Sequence, residues 1–234
     1  MGLFDRLFKP RVKLDPDTTA RLEDWRRRPD SRLADDFGAS RYVVVDVETT
    51  GLDLVRDRLI AIGACAVENG RVVMAESFEI VLRQDQVSTK DNILIHGIGG
   101  EAQREGVDPT ESLVRFLDFL GKSPLVAFHV TFDQTMIKKA VKEYLGFEFK
   151  HPWLDLAYVM PGLLPEYARR YRALDDWSGH FRISNFARHS ALADALATAQ
   201  LLLCALPLAK AKHSTCYQNL QDLEKAQRWV NWAG

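Results

Sequence analysis

The stretch RYVVVDVETTG, residues 41–51, decides the fold. From Tyr42 to Val47 it is apolar except for Asp46, and valine dominates it. A β-branched run that is apolar at both odd and even positions is the pattern of a central strand covered on both faces. Outward from it, Leu59 to Val67 reads as a second strand and Val72 to Leu82 as a third. Between them lies Glu68-Asn69-Gly70-Arg71. Asn-Gly flanked by apolar runs is a strong hairpin signal, so these two strands are expected to be antiparallel neighbours.

Beyond the hairpin the pattern changes. Leu113, Phe116, Leu117 and Leu120 repeat at i, i+3, i+4 and i+7, which predicts a helix over about 110–121. Leu125 to Phe128 is a short buried strand, and Met136, Ile137, Ala140, Val141 and Tyr144 form the stripe of a helix over about 132–145. Trp153 to Leu156 reads as a strand end, and Pro161 and Pro165 are expected to break up the segment after it. Residues 191–206 are a packed Ala- and Leu-rich helix, and 217–232 offer a last amphipathic one. Three consecutive strands and then alternating helix and strand predict an α/β sandwich with a mixed sheet, antiparallel on one side and parallel on the other.

The expected organisation is an N-terminal extension over 1–40, with a charged helix near 17–28 and a linker, a main domain over 41–206, and a helical tail over 207–234. In Met1–Lys9, apolar Leu3, Phe4, Leu7 and Phe8 are interleaved with Asp5, Arg6 and Lys9. Two readings stand for it: an anchor for a protein partner or membrane surface, or a flap packed on the domain. Hydrophobic residues make up 47% of the 234, enough for a core. No apolar run approaches the ~20 residues of a transmembrane segment, and none is expected. Cys65, Cys204 and Cys216 form no CxxC pair or zinc set, which fits reduced cysteines in a cytoplasmic protein. A net charge of −1 gives no support for tight non-specific duplex binding.

Asp46 and Glu48 are two residues apart in a strand, so their side chains share a face with backbones roughly 7 Å apart. Such a pair can converge on one hard cation, and a cation would offset the cost of an acid inside a valine run. Asp133 lies just past a strand, at a helix start, where α/β sheets place ligand groups; an N-capping role is an equal reading. Asp194 sits among small apolar residues in the first turns of its helix, and His189 precedes it by five positions. Histidine's ordinary pKa of about 6.5 suits a general base. An all-oxygen ligand set favours Mg²⁺ or Mn²⁺ over zinc, and two such ions can serve phosphodiester hydrolysis.

Three blocks, VDVETTGL at 45–52, FHVTFD at 128–133 and RHSALADA at 188–195, together resemble the DEDDh superfamily of exonucleases, specifically the DnaQ-like proofreading exonucleases. His96-Gly97-Ile98 is similar to a substrate-side motif of the same family, and Leu174 to Phe186 reads like its run into the third block. The resemblance covers about residues 41–206. It implies a ribonuclease H-like fold, a mixed five-stranded sheet flanked by helices. It implies two divalent cations, Mg²⁺ or Mn²⁺, with Asp46 bridging both, Glu48 and Asp194 holding the first, and Asp133 contacting the site directly or through water. His189 would deprotonate the attacking water. Thr49, Thr50, Gly51, Leu52, His96 and Phe132 would meet the 3′-terminal nucleotide. The family's second block often carries asparagine after its histidine, where this chain has Val130.

The expectation is therefore a 3′→5′ exonuclease releasing nucleoside 5′-monophosphates from single-stranded DNA or mismatched ends, in replication or repair. RNA trimming or oligoribonucleotide degradation is the alternative within that chemistry. A non-catalytic nucleic-acid-binding or scaffold module is the alternative outside it; its signature would be a lost ligand, and all four acids and the histidine are present.

Overall fold

The computed structural model describes residues 12–185 and 187–233, with side chains described through 230. The Met1–Lys9 segment and Phe186 lie outside the described residues. The strands are β1 (Arg41–Thr49), β2 (Leu59–Glu68), β3 (Arg71–Val81), β4 (Leu125–Ala127) and β5 (Trp153–Asp155). They form one five-stranded sheet of order β3-β2-β1-β4-β5. β1 is its centre, antiparallel to β2 and parallel to β4, so the mixed sheet expected from the chain order is the one formed. The Glu68↔Arg71 pair closes a two-residue hairpin, and Asn69 and Gly70 both have positive φ (51° and 69°) as a type I′ turn requires.

Two cores cover the two faces. Val43, Val45 and Val47 of β1 face one core, built with α1 (Pro16–Arg27), α4 (Pro109–Leu120) and α5 (Thr131–Tyr144). Tyr42 and Val44 face the other, built with α6 (Leu156–Leu163), α7 (Leu174–Phe181), α8 (Ala191–Ala211) and α9 (Tyr217–Ala233). Side chains alternate along a strand, so Asp46 and Glu48 project on the side of Tyr42 and Val44, toward α8. α5 lies across the opposite face. This parity positions everything in the site.

The helices differ from expectation at three places. Pro161 does not interrupt α6; Val159, Met160 and Leu163 bury around it, and packing overrides propensity. α8 continues through Pro207 to Ala211, past the expected limit at 206. At 21 residues it has the length and apolarity to cross a bilayer, although polar residues interrupt its apolar runs. Here it is a core helix, with Leu201, Leu202 and Ala205 fully buried against the sheet. Two short helices, α2 (Lys90–His96) and α3 (Gly100–Arg104), fill the connection after β3 and lie outside the elements expected from sequence, as does α7.

Both ends are tied to the sheet's helices. Arg21 of α1 pairs with Glu111 and Asp118 of α4, and the Trp25 indole N–H donates to the Gly121 carbonyl at 2.6 Å. α9 packs on α6 and β5, burying Tyr217 and Leu220.

Candidate active site

Carboxylate oxygens of Asp46, Glu48 and Asp194 all lie within 4.8 Å of one another. The first two come from the end of β1, the third from the first turn of α8. What lets α8 approach is Gly63 on β2, the residue paired with Asp46 in the sheet. A Cβ at Gly63 would stand 2.1 Å from the backbone of Ala191 and Leu192. The helix that carries Asp194 therefore rests on bare backbone beside Asp46.

Asp133 is buried in the first turn of α5, but it stands outside that trio. The parity of β1 explains why. α5 covers the opposite face of the sheet, so Asp133 meets Asp46 only around the strand end. The helix is not capped by Asp133; Val130 holds the cap position, without a side-chain bond, and is itself buried.

Burial dominates the electrostatics. It pushes Asp46 well above the usual carboxylate range, reinforced by Asp133, Asp194 and Glu48 and opposed by Arg188. Burial first, then repulsion from Asp194, raises Glu48 to about 8. Burial likewise raises Asp133 to about 8, against the backbone N–H of Asp133 and with repulsion from Asp155. Oxygen donors that resist ionisation alone but lie within one ion's reach of each other suit a hard divalent cation, which relieves their repulsion. The residues present therefore fit the Mg²⁺ or Mn²⁺ implied by their chemistry.

Asp194 is held by two side chains that sequence reading did not single out, Arg188 and Asn185, and by the backbone of His189. Its Oδ1 meets the Arg188 guanidinium at 2.5 Å and accepts the Asn185 amide, and its Oδ2 accepts the backbone N–H of His189 at 3.0 Å. Arg188 also pairs with Asp175 of α7 at 2.9 Å. His189 has a left-handed backbone (φ 64°), is exposed, and lines the cleft. Its ring has no hydrogen-bond partner among the described residues.

The three carboxylates open into a cleft of about 650 Å³, within the usual range for small-molecule sites. Thr49, Gly51, Leu52, His96 and Phe132 line it, as do Asn92, Ile95, Phe128, His129 and Arg172. Thr50 does not. Its hydroxyl is turned to the Asp57 carboxylate at 2.8 Å and accepts the Arg58 N–H, so it braces the 50–58 loop. His96 reaches the cleft with both ring nitrogens engaged. Nδ1 accepts the Ile98 N–H at 3.0 Å, and Nε2 lies 3.3 Å from Ser88 Oγ. With Nδ1 an acceptor, the ring is the neutral Nε2–H tautomer, and burial lowers its pKa further. Leu52 is 86% exposed and stands at the mouth as an uncovered apolar side chain.

A deeper connection runs from the cleft to the C-terminus. Asp155, at the end of β5, accepts the backbone N–H of His129 at 2.9 Å and the Arg228 guanidinium at 2.8 Å. Glu224 accepts from Arg228 and from the Asp155 N–H. No local pattern joins residues about seventy positions apart, so this triad is invisible in the sequence.

Comparisons with known proteins bear on the family and the fold. The RNase_T family model, described as Exonuclease, matches residues 43–202. DNA polymerase III PolC-type from Thermotoga maritima is 30% identical over 202 residues, covering 86% of this chain and 14% of its own length. The Bacillus subtilis DNA polymerase III PolC-type is 30% identical over 192 residues, 80% of this chain and 13% of its own. The chain thus spans about a seventh of these relatives. Among solved structures, E. coli Exonuclease I in complex with a dT13 oligonucleotide superposes with a TM-score of 0.63 at 18% identity, over 74% of this chain and 42% of that one. Exonuclease X in complex with 5′ overhanging duplex DNA gives 0.61 at 17%, over 78% and 99%. At these identities the structural likeness establishes the fold.

Proposed function

The chain belongs to the RNase_T exonuclease family, of the DEDDh (DnaQ-like) type, and from that premise we propose that it hydrolyses the 3′-terminal phosphodiester bond of single-stranded DNA or mismatched ends, releasing nucleoside 5′-monophosphates. The observation that carries this reading is the convergence of Asp46, Glu48 and Asp194 within 4.8 Å at an open cleft. Asp46, Glu48 and Asp194 would hold the divalent cations, with Asp133 contacting the site directly or through water. Bound Mg²⁺ or Mn²⁺ would lower the pKa of a water and stabilise the leaving 3′ oxygen.

The chain's own groups supply the rest. His189, unpartnered on its loop, accepts the proton of the attacking water at a ring nitrogen. Phe132 and Leu52 give the terminal base apolar contact. Gly51 lets the backbone come close, and the neutral His96 closes the wall without placing a charge beside the nucleotide. A role in bacterial replication or repair is supported by the polymerase relatives, whose matched region is a small part of their length. A cytoplasmic location fits the three free cysteines.

The test is degradation of 5′-labelled single-stranded DNA and RNA with and without Mg²⁺ or Mn²⁺. The expected result is metal-dependent shortening from the 3′ end, stronger on DNA. Asp46→Asn abolishes it with the fold retained, and His189→Ala slows it while calorimetric Mn²⁺ affinity is kept. Metal-independent cleavage, or release from the 5′ end, would overturn the reading.

A further inference from the structure

The cleft has two unlike walls. On one side stand Leu52 and Ile95, exposed by 86% and 55%, with Leu94, exposed by 74%, next to Ile95 on α2. On the other, at Arg172, begins a basic turn. Arg169, Arg170 and Arg172 are exposed, and none of the three guanidiniums is in an ion pair among the described residues. Between residues 166 and 188 the chain carries five arginines against Glu166, Asp175 and Asp176, a local net of +2 within a protein of net −1. Two of those acids are already committed. Asp175 pairs with Arg188, and Asp176 accepts the backbone N–H groups of Arg172 and Ala173.

The turn is held firmly against the site. The His129 ring lies 3.2 Å from the Arg172 carbonyl. Tyr171 stacks on Tyr167 with centroids 5.1 Å apart and planes 6° from parallel, and Trp177 meets Tyr171 edge-on. Arg170 lies 5.5 Å over the Tyr171 ring. The aromatic cluster thus fixes the turn that carries the three arginines, with Arg170 over the Tyr171 ring and Arg172 at the cleft lining.

We infer that Arg169, Arg170 and Arg172 form the phosphate track for the strand 5′ of the scissile bond, facing an apolar wall that takes its unpaired bases. A single strand presents phosphates on one side and uncovered bases on the other, and these walls match that division. A duplex hides its bases and would leave the apolar wall facing water. The inference rests on the exonuclease reading of the cleft and extends it to the polymer beyond the terminal nucleotide.

The experiment compares the full chain with Arg169→Gln/Arg170→Gln, two positions outside the cleft lining. Binding of a 5′-fluorescein oligo(dT), about fifteen nucleotides long, is followed by anisotropy across a salt series with Ca²⁺ in place of Mg²⁺. Hydrolysis is followed with Mg²⁺ on the same oligonucleotide and on the p-nitrophenyl ester of thymidine 5′-monophosphate. Each lost phosphate contact lowers the log–log salt slope by about 0.7, so the slope should fall by about 1.4, with affinity on the order of 10–100-fold weaker at 50 mM salt. KM for the oligonucleotide should rise in step, while the small ester is turned over as by the parent chain. An unchanged salt slope, or equal losses on both substrates, overturns the track. If the parent chain hydrolyses neither substrate but binding still depends on the arginines, the track stands and the exonuclease reading fails. Equal melting temperatures of the two proteins exclude misfolding as the cause.

Discussion

Gly63→Ala tests the spacing of the site most directly. The new Cβ would meet Ala191 C and Leu192 N at 2.1 Å, whereas ordinary contact begins at 3.4 Å, so α8 and β2 must part by 3.4 − 2.1 = 1.3 Å. The obstructing atoms are backbone, so no side chain can turn aside. Overpacking of this kind costs about 1–3 kcal/mol, which for a chain of this size lowers Tm by about 2–12 °C. Asp194 lies three residues beyond Ala191 on the displaced helix, while Asp46 stays opposite position 63 on the sheet. The carboxylates that now share a 4.8 Å span would open by a sizeable fraction of it. A misplacement of about 1 Å can lower a rate by about 10²-fold, and Mn²⁺ affinity should weaken with it. Calorimetric titration with Mn²⁺, thermal melting and a single-stranded DNA assay would be run beside Gly99→Ala, where a Cβ meets open space. If Gly63→Ala loses stability but keeps the parent's rate and Mn²⁺ affinity, the idea that Gly63 sets the Asp46–Asp194 distance is wrong.

Two more outcomes are expected of the same structure. Arg228→Met leaves Asp155 buried with its Glu224 neighbour and without its guanidinium partner. The expected cost is about 2 kcal/mol, below the ~3–5 of a fully buried pair because Arg228 is 36% exposed. Chemical denaturation measures it, and an unchanged midpoint would remove the triad from the account of stability. The pH dependence of the metal-free protein has a definite sign. Glu48 and Asp133, raised to about 8 by burial, bind protons more tightly folded than unfolded. Stability in EDTA should therefore fall as pH rises from about 4 to about 8 and level off above. Saturating Mn²⁺ holds the same carboxylates ionised and should reverse the slope. Melting curves at pH 5.5 and 8.5 decide it, and a protein in EDTA that melts higher at pH 8.5 would contradict the burial argument.

The sequence made some of this legible and hid the rest for physical reasons. β1 was readable because a β-branched run apolar at both parities marks a strand covered on both faces, and Asp46 stood out because an acid in such a run needs a partner. The hairpin was readable from Asn69-Gly70, where two positive φ values leave little choice of residue. Gly63 was not, since a strand glycine carries no sign of what rests on it. Pro161 misled because propensity is local and burial is not. Thr50 fits its block as well as Thr49 does, and only the fold shows its hydroxyl turned to Asp57. Asn185 and Arg188 lie in an irregular loop without periodicity, and Asp155, Glu224 and Arg228 are joined only by chain reversal. Local chemistry was visible where a single residue contradicts its surroundings, and it was hidden where a contact depends on two distant elements meeting.

That distinction bears on how the site is balanced. Asp46, Glu48, Asp133 and Asp194 bring four potential negative charges, and among the described residues the nearby Arg188 guanidinium opposes the upward shifts of Asp46 and Glu48. One guanidinium does not offset four carboxylates, and burial with mutual repulsion raises Asp46, Glu48 and Asp133 above the usual carboxylate range. Cation binding must then displace protons, and it adds positive charge next to an arginine already shared between Asp194 and Asp175. Arg188 bridges from Asp194 to Asp175 on α7, the helix that begins directly after Ala173. One side chain thus joins the acids of the site to the helix that follows the arginine-bearing turn.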